Sequence, residues 1–186
     1  MAASAAEEET RYASPGGVLE LAAEEGVVEA AVDGGALVPV PGGLTVPAEE
    51  GSHWLALASR DAVGRTSEVR WVRLVVDGAP PAIELSTEPA AAAVDGVLWT
   101  GSAARVVARA SDEVSGVARL GLTCGGEPVV ESGGEATCSL ADLAGSASAE
   151  VAISAWAEDV AGNRAETTTA WRLDAAPPRV ALAIEG

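Results

Sequence analysis

The chain has 186 residues and a formal net charge of −17, with eleven Arg, no Lys and one His. So acidic a surface excludes nucleic acid as a natural partner, because binding it relies on neutralising phosphates with basic side chains, and it disfavours anionic membrane in the same way. With five Trp, one Tyr and no Phe, any core must be built from Val, Leu, Ile and Ala, and the missing Lys rules out an isopeptide staple.

Residues 1–10 are small and acidic and read as a disordered tail. Strands are then expected at Val18–Ala22, Val27–Val32, Ala36–Val40 and Leu44–Val46. They are separated by Glu24-Glu25-Gly26, by the strong hairpin signal Asp33-Gly34-Gly35, and by Pro41-Gly42-Gly43. In the strand that ends at Asp61, Leu55 and Leu57 share one face while Trp54, Ala56 and Ala58 share the other. Val72, Leu74 and Val76 then alternate with Trp71, Arg73 and Val75.

After Pro80-Pro81, Ile83 and Leu85 alternate as a strand, and Pro89–Val94 is alanine-rich and reads as loop or short helix. Short strands follow at Val97–Thr100, Arg105–Ala110, Val117–Cys124, Pro128–Val130 and Cys138–Leu140, with Val151, Ile153, Ala155 and Ala157 facing the core. Trp171 aligns with Leu74 and belongs in the core. No run approaches the ~20 apolar residues of a membrane span. The first residues lack the basic and apolar regions of a signal peptide. Either a signal has been removed or the protein stays inside the cell, and the two Cys favour the former.

The pattern repeats. Asp61 corresponds to Asp159 and Asp77 to Asp174, each about a hundred residues on, and both copies carry a strand, an Asp-x-x-Gly turn, a strand and then Pro-Pro. Asp112-Glu-Val-Ser-Gly-Val117, Asp159-Val-Ala-Gly-Asn163, Leu173-Asp-Ala-Ala-Pro-Pro178 and Gly51-Ser-His53 resemble the bacterial Ig-like repeats of large surface and outer-membrane-associated proteins. The resemblance covers nearly everything after residue 10. Repeat one departs from it: Glu24-Glu25-Gly26 replaces the Asp-Ser-Gly turn, and Arg65 replaces the Asn after the turn glycine. The expected fold is all-β, two tandem Ig-like β-sandwich domains. Residues 11–79 form repeat 1, which lacks a first strand, and 80–176 form repeat 2. Residues 177–186 form an extra strand that opens a further repeat or is donated to another copy.

Asp61 and Asp159 each end a strand, where a carboxylate can accept backbone N–H groups of the turn, and Gly64 and Gly162 supply positive φ. A sharper reading is a Ca²⁺ site. In an Ig-like sandwich the linker, the first turn and the last hairpin share a pole, which gathers Asp77, Asp112, Glu113 and Asp159. Carboxylates with backbone carbonyls suit that ion. His53 has no second His or Cys beside it, so zinc is not expected. Cys124 and Cys138 are expected to form a disulfide across neighbouring strands. Trp54 and Trp156 fall on the face opposite the core, either stacking on glycan or packing against a neighbour.

No catalytic triad, nucleophile elbow or P-loop occurs. Such repeats usually serve as spacers, stalks or adhesive units, so the expected protein is a non-catalytic module of a bacterial surface or secreted assembly. Its expected partners are copies of itself or neighbouring repeats, with no direct membrane insertion, and its place is extracellular or periplasmic. The alternatives are a glycan- or protein-ligand-binding module and an appendage of a larger enzyme. Val180, Leu182 and Ile184 alternate like Ile83 and Leu85, so residues 177–186 either open a further repeat of a longer array or fill the missing strand of the next copy and build a head-to-tail fibre.

Overall fold

The structure, a computed structural model, describes residues 9–101, 103–126, 128–141, 149–174, 176 and 180. The chain divides into two compact units at Pro80–Pro81, and the turns Asp112–Gly116 and Asp159–Asn163 cluster with the first. Every regular element among the described residues is a strand.

In the first unit, β1 (Thr10–Ala13), β2 (Val18–Leu19), β3 (Val27–Val32), β4 (Val38–Pro39), β5 (Leu44–Thr45), β6 (Gly51–Arg60) and β7 (Arg70–Val76) form two sheets. One has the order β1-β7-β6-β3-β4, and the other pairs β2 with β5. Alternation along β6 and β7 turns Leu55, Val72, Leu74 and Val76 inward, where Ala13 and Val46 join them. At the start of the β3–β4 connection Asp33 and Gly34 take positive φ and the Gly35 N–H donates to the Val32 carbonyl at 2.9 Å, a tight turn within a longer loop.

Residue 10, expected in the tail, begins a strand. Thr10–Ala13 pairs parallel with Arg73–Val76, and the Arg73 N–H donates to the Glu9 carbonyl. This strand carries no alternating apolar signal of its own. It is held by the ladder offered along β7.

His53 links two of these elements. It is 8% exposed, its Nδ1 lies 2.7 Å from Asp33 Oδ2, and its Nε2 lies 3.0 Å from the Glu49 carbonyl oxygen. Both nitrogens face acceptors, so only the doubly protonated ring satisfies both. The Asp33 hydrogen bond, followed by the Glu49 carbonyl, raises the His53 pKa. A raised folded pKa stabilises fully below the ordinary value of about 6.5, and that contribution disappears as pH rises through the folded value. The melting temperature is therefore expected to fall between pH 6 and pH 9, and His53→Gln should flatten that slope. His53 is the sole His, so an unaltered slope in the variant would contradict the assignment.

The second unit holds β8 (Ala82–Glu88), β9 (Ala92–Val94), β10 (Val97–Gly101), β11 (Arg105–Ser111), β12 (Val117–Cys124), β13 (Val129–Ser132), β14 (Glu135–Ser139), β15 (Ala149–Asp159) and β16 (Arg164–Asp174). Its sheets run β13-β12-β15-β16-β10-β9 and β14-β11-β8. Val106, Leu120, Leu122, Ile153, Trp171 and Leu173 fill the core between them, and Ile83 and Leu85 of β8 pack against it. Ala92–Val94 is a strand rather than the expected loop or helix. Asp95 and Gly96 take positive φ and fold it back on β10.

The two units share one device and differ in another. β1 on β7 and β10 on β16 are both parallel pairings, but β1 is an edge strand whereas β9 covers the outer side of β10. In the second unit β11 pairs with both β14 and β8, whereas among the described residues β2 pairs with β5 alone.

Cys124 and Cys138 are bonded, but not across neighbouring strands. β12 lies between β13 and β15 in one sheet, while β14 pairs with β11 in the other. After β13 the chain turns at Gly133, whose φ is positive, and crosses to the opposite sheet. The bridge therefore ties the two layers of the sandwich.

Candidate metal centre

Three carboxylates converge in the first unit. One oxygen each from Asp77, Asp112 and Asp159 lies within 4.8 Å of the others. Asp77 follows the end of β7, Asp112 follows β11 and Asp159 ends β15. The turns that carry them are fixed by their own backbones. Asp112 Oδ1 accepts the N–H groups of Val114, Ser115 and Gly116 at 3.1, 2.9 and 2.9 Å. Asp159 Oδ1 accepts the Asn163 N–H at 2.8 Å, and the Asp159 N–H donates to the Asn163 carbonyl. Val160 N–H reaches the Gly116 carbonyl at 3.0 Å, and Asn163 Nδ2 donates to the Asp77 carbonyl at 2.8 Å. All three segments are thus pinned together by hydrogen bonds before any ion is considered.

The electrostatics are unbalanced. Asp77 and Asp159 are each 2% exposed. No Arg or His forms an ion pair with any of the three among the described residues. At such separations each pair of carboxylates repels by about 3–4 kcal/mol at an effective dielectric of about 20. Desolvation pushes the Asp112 pKa up, but the N–H groups of Gly116, Ser115 and Val114 outweigh it and hold the group below the usual carboxylate value. Asp77 Oδ1 accepts the Ala79 N–H, while its Oδ2 is buried without a hydrogen-bond partner among the described residues. A buried charged oxygen with no donor is costly, and a cation removes the cost. The donors are all oxygen, which selects a hard ion. Burial leaves little room for the waters that Mg²⁺ retains, so the set fits Ca²⁺ better.

Glu113 is exposed in the same turn and is not among the three grouped carboxylates. It points to the limit of spacing arguments, because only one residue of an Asp-Glu pair entering a tight turn can face inward. The role of Asn163 was not legible, and its clue was the Asn–Arg difference between the repeats.

The other expected contact residues separate. Trp54 is 43% exposed and lies opposite Arg73, and Trp71, two residues along that neighbouring strand, is exposed diagonally from it. Trp156 does not offer a free ring. Its indole lies against Gly121, where a Cβ would sit 2.2 Å from Nε1, and the Arg164 guanidinium lies 4.2 Å from its centroid. Gly121 leaves the space and Arg164 supplies a cation–π contact, a pairing the outward position alone did not reveal. Val180 is 97% exposed. Leu182 and Ile184 lie outside the described residues.

The described residues form an all-β protein of two β-sandwich units. No protein-family model and no curated protein matches it. Among solved structures, the fibronectin(III)-like modules of Clostridium thermocellum CbhA are similar at 18% identity and a TM-score of 0.49, covering 98% of this chain and 97% of that one. A Ca²⁺-stabilized adhesin with which an Antarctic bacterium binds ice is similar at 17% identity and 0.30, covering 83% and 41%. The Bacteroides ovatus mixed-linkage glucan utilization protein SGBP-B, solved with a mixed-linkage heptasaccharide, is similar at 18% and 0.26, covering 95% and 46%.

Proposed function

We propose that this chain is a non-catalytic structural module of a bacterial surface or secreted assembly, and that Ca²⁺ held by Asp77, Asp112 and Asp159 fastens the segment after β7 to the two neighbouring turns. The observation that carries the reading is that Asp77, grouped with two further carboxylates, buries an oxygen that has no hydrogen-bond partner among the described residues. The disulfide supports an oxidising compartment, where calcium modules of modest affinity are loaded. Calorimetric melting in millimolar calcium and in chelator tests it. Calcium should raise the melting temperature by mass action, and superimposable curves would remove the site.

A second reading concerns assembly. β11 is flanked by β8, whereas β2 has no outer neighbour among the described residues. Residues 177–184 repeat the Pro-Pro opening and alternation of β8, so this segment from another copy suits the open edge. Deleting 177–186 should then abolish polymers seen by light scattering at high concentration. Polymers that persist, or a full chain that stays monomeric, would refute donation. The glycan-binding alternative retains Trp54 and Trp71, since Trp156 is covered by Arg164.

A further inference from the structure

The same turn occurs twice, with one difference in its charge. At Asp61, Oδ1 accepts the Arg65 N–H at 2.8 Å, the Asp61 N–H donates to the Arg65 carbonyl at 3.0 Å, and the Gly64 N–H donates to the Asp61 carbonyl at 3.0 Å. At Asp159 the corresponding three distances, with Asn163 and Gly162, are 2.8, 3.1 and 3.3 Å. The two turns share these three hydrogen bonds, and the Asp61 turn adds one from the Val63 N–H to Asp61 Oδ1 at 3.0 Å. What differs in charge is the group on the second carboxylate oxygen. Arg65 Nε donates to Asp61 Oδ2 at 2.6 Å, so that turn carries its own cation. Asn163 Nδ2 donates to Asp159 Oδ2 at 2.8 Å and adds no charge.

We infer that position 163 determines whether this Asp turn depends on a metal: a neutral Asn163 leaves the Asp77–Asp112–Asp159 cluster for a divalent cation, and a guanidinium there replaces the ion. The inference rests on the calcium reading above. Asn163 occupies the right place for such a swap. Its Nδ2 already touches Asp159 Oδ2 and the Asp77 carbonyl, with the Ala79 carbonyl at 3.4 Å. The Arg65 turn shows that an Arg four residues after the Asp brings Nε onto the same carboxylate oxygen. Its remaining N–H groups could serve the carbonyls that Asn163 now serves. At Asp61 such a pair is exposed and contributes little. Among three converging carboxylates, two of them buried, the same group would meet an uncompensated charge.

The test uses the full chain with Asn163→Arg, Asn163→Lys and Asn163→Gln, each followed by calcium binding and by melting in calcium and in chelator. The Arg and Lys variants should bind calcium at least a hundredfold more weakly than wild type. In chelator the Arg variant should melt higher than wild type, with little further gain from calcium. The Gln variant, longer but uncharged, should keep its calcium response. If one charged variant fails to fold, the other still reports, since both add the charge and only Arg adds the fork. Calcium binding retained by a folded charged variant, or lost equally in the Gln variant, would overturn the inference. A wild type that takes up no calcium would sink the calcium reading. That outcome would end the inference too, whereas a wild type that binds calcium beside a folded charged variant that binds it equally would end the inference alone.

Discussion

Replacing Cys124 and Cys138 together by Ala is expected to lower the stability of the second unit by about 3 kcal/mol, the loop-entropy value for a closure of this length. The bridge joins β12 to β14 with Cα atoms 6.5 Å apart and so closes one corner of the sandwich between its two sheets. Without it the unfolded chain gains freedom, and the layers rely on Leu120, Leu122, Val106 and their neighbours alone. Cys124 is itself part of that core, so the variant also loses packed sulfur. For a unit of this size the melting temperature should fall by on the order of 10 °C. Calorimetry resolves the two units if they melt separately, and only the second should move. A double variant that melts with wild type, or mass spectrometry showing two free thiols in oxidised protein, would contradict the bridge.

Asp77→Asn should invert its sign with calcium. In chelator the variant is expected to melt at or above wild type, because it removes a buried carboxylate that has no donor on Oδ2 among the described residues and two like charges nearby. In calcium the order should reverse, since wild type gains the linkage term and the variant does not. At a hundredfold excess over Kd that term is about 2.7 kcal/mol, or on the order of 10 °C for a domain of this size. A variant destabilised equally in both conditions would reduce Asp77 to a backbone acceptor for Ala79.

Much of this was legible because the repeat fixes its own landmarks. Gly-rich turns, the alternation of Leu55, Val72 and Leu74, and the inward placement of Trp171 follow from local pattern, and all four residues are buried. Asp77, Asp112 and Asp159 are far apart in sequence, and one carboxylate oxygen of each lies within 4.8 Å of the others; the expectation that gathered them came from sandwich topology rather than from spacing. What escaped prediction depends on partners that sequence pattern does not name. Thr10–Ala13 is a strand only because β7 offers a parallel edge. Ala92–Val94 is one because the Asp95-Gly96 turn folds it onto β10. The disulfide crosses sheets because the chain changes layers after β13. Trp156 faces outward as expected, but Arg164 from the next strand covers it.

Equilibrium dialysis of the chelator-stripped full chain against radioactive calcium measures the central claim directly. The account predicts saturable uptake of one ion per chain at millimolar calcium or below, abolished by Asp77→Asn and unaffected by Glu113→Gln, since Glu113 is exposed and outside the carboxylate group. Uptake no greater than background at millimolar calcium, or uptake that Asp77→Asn leaves unchanged, would contradict it.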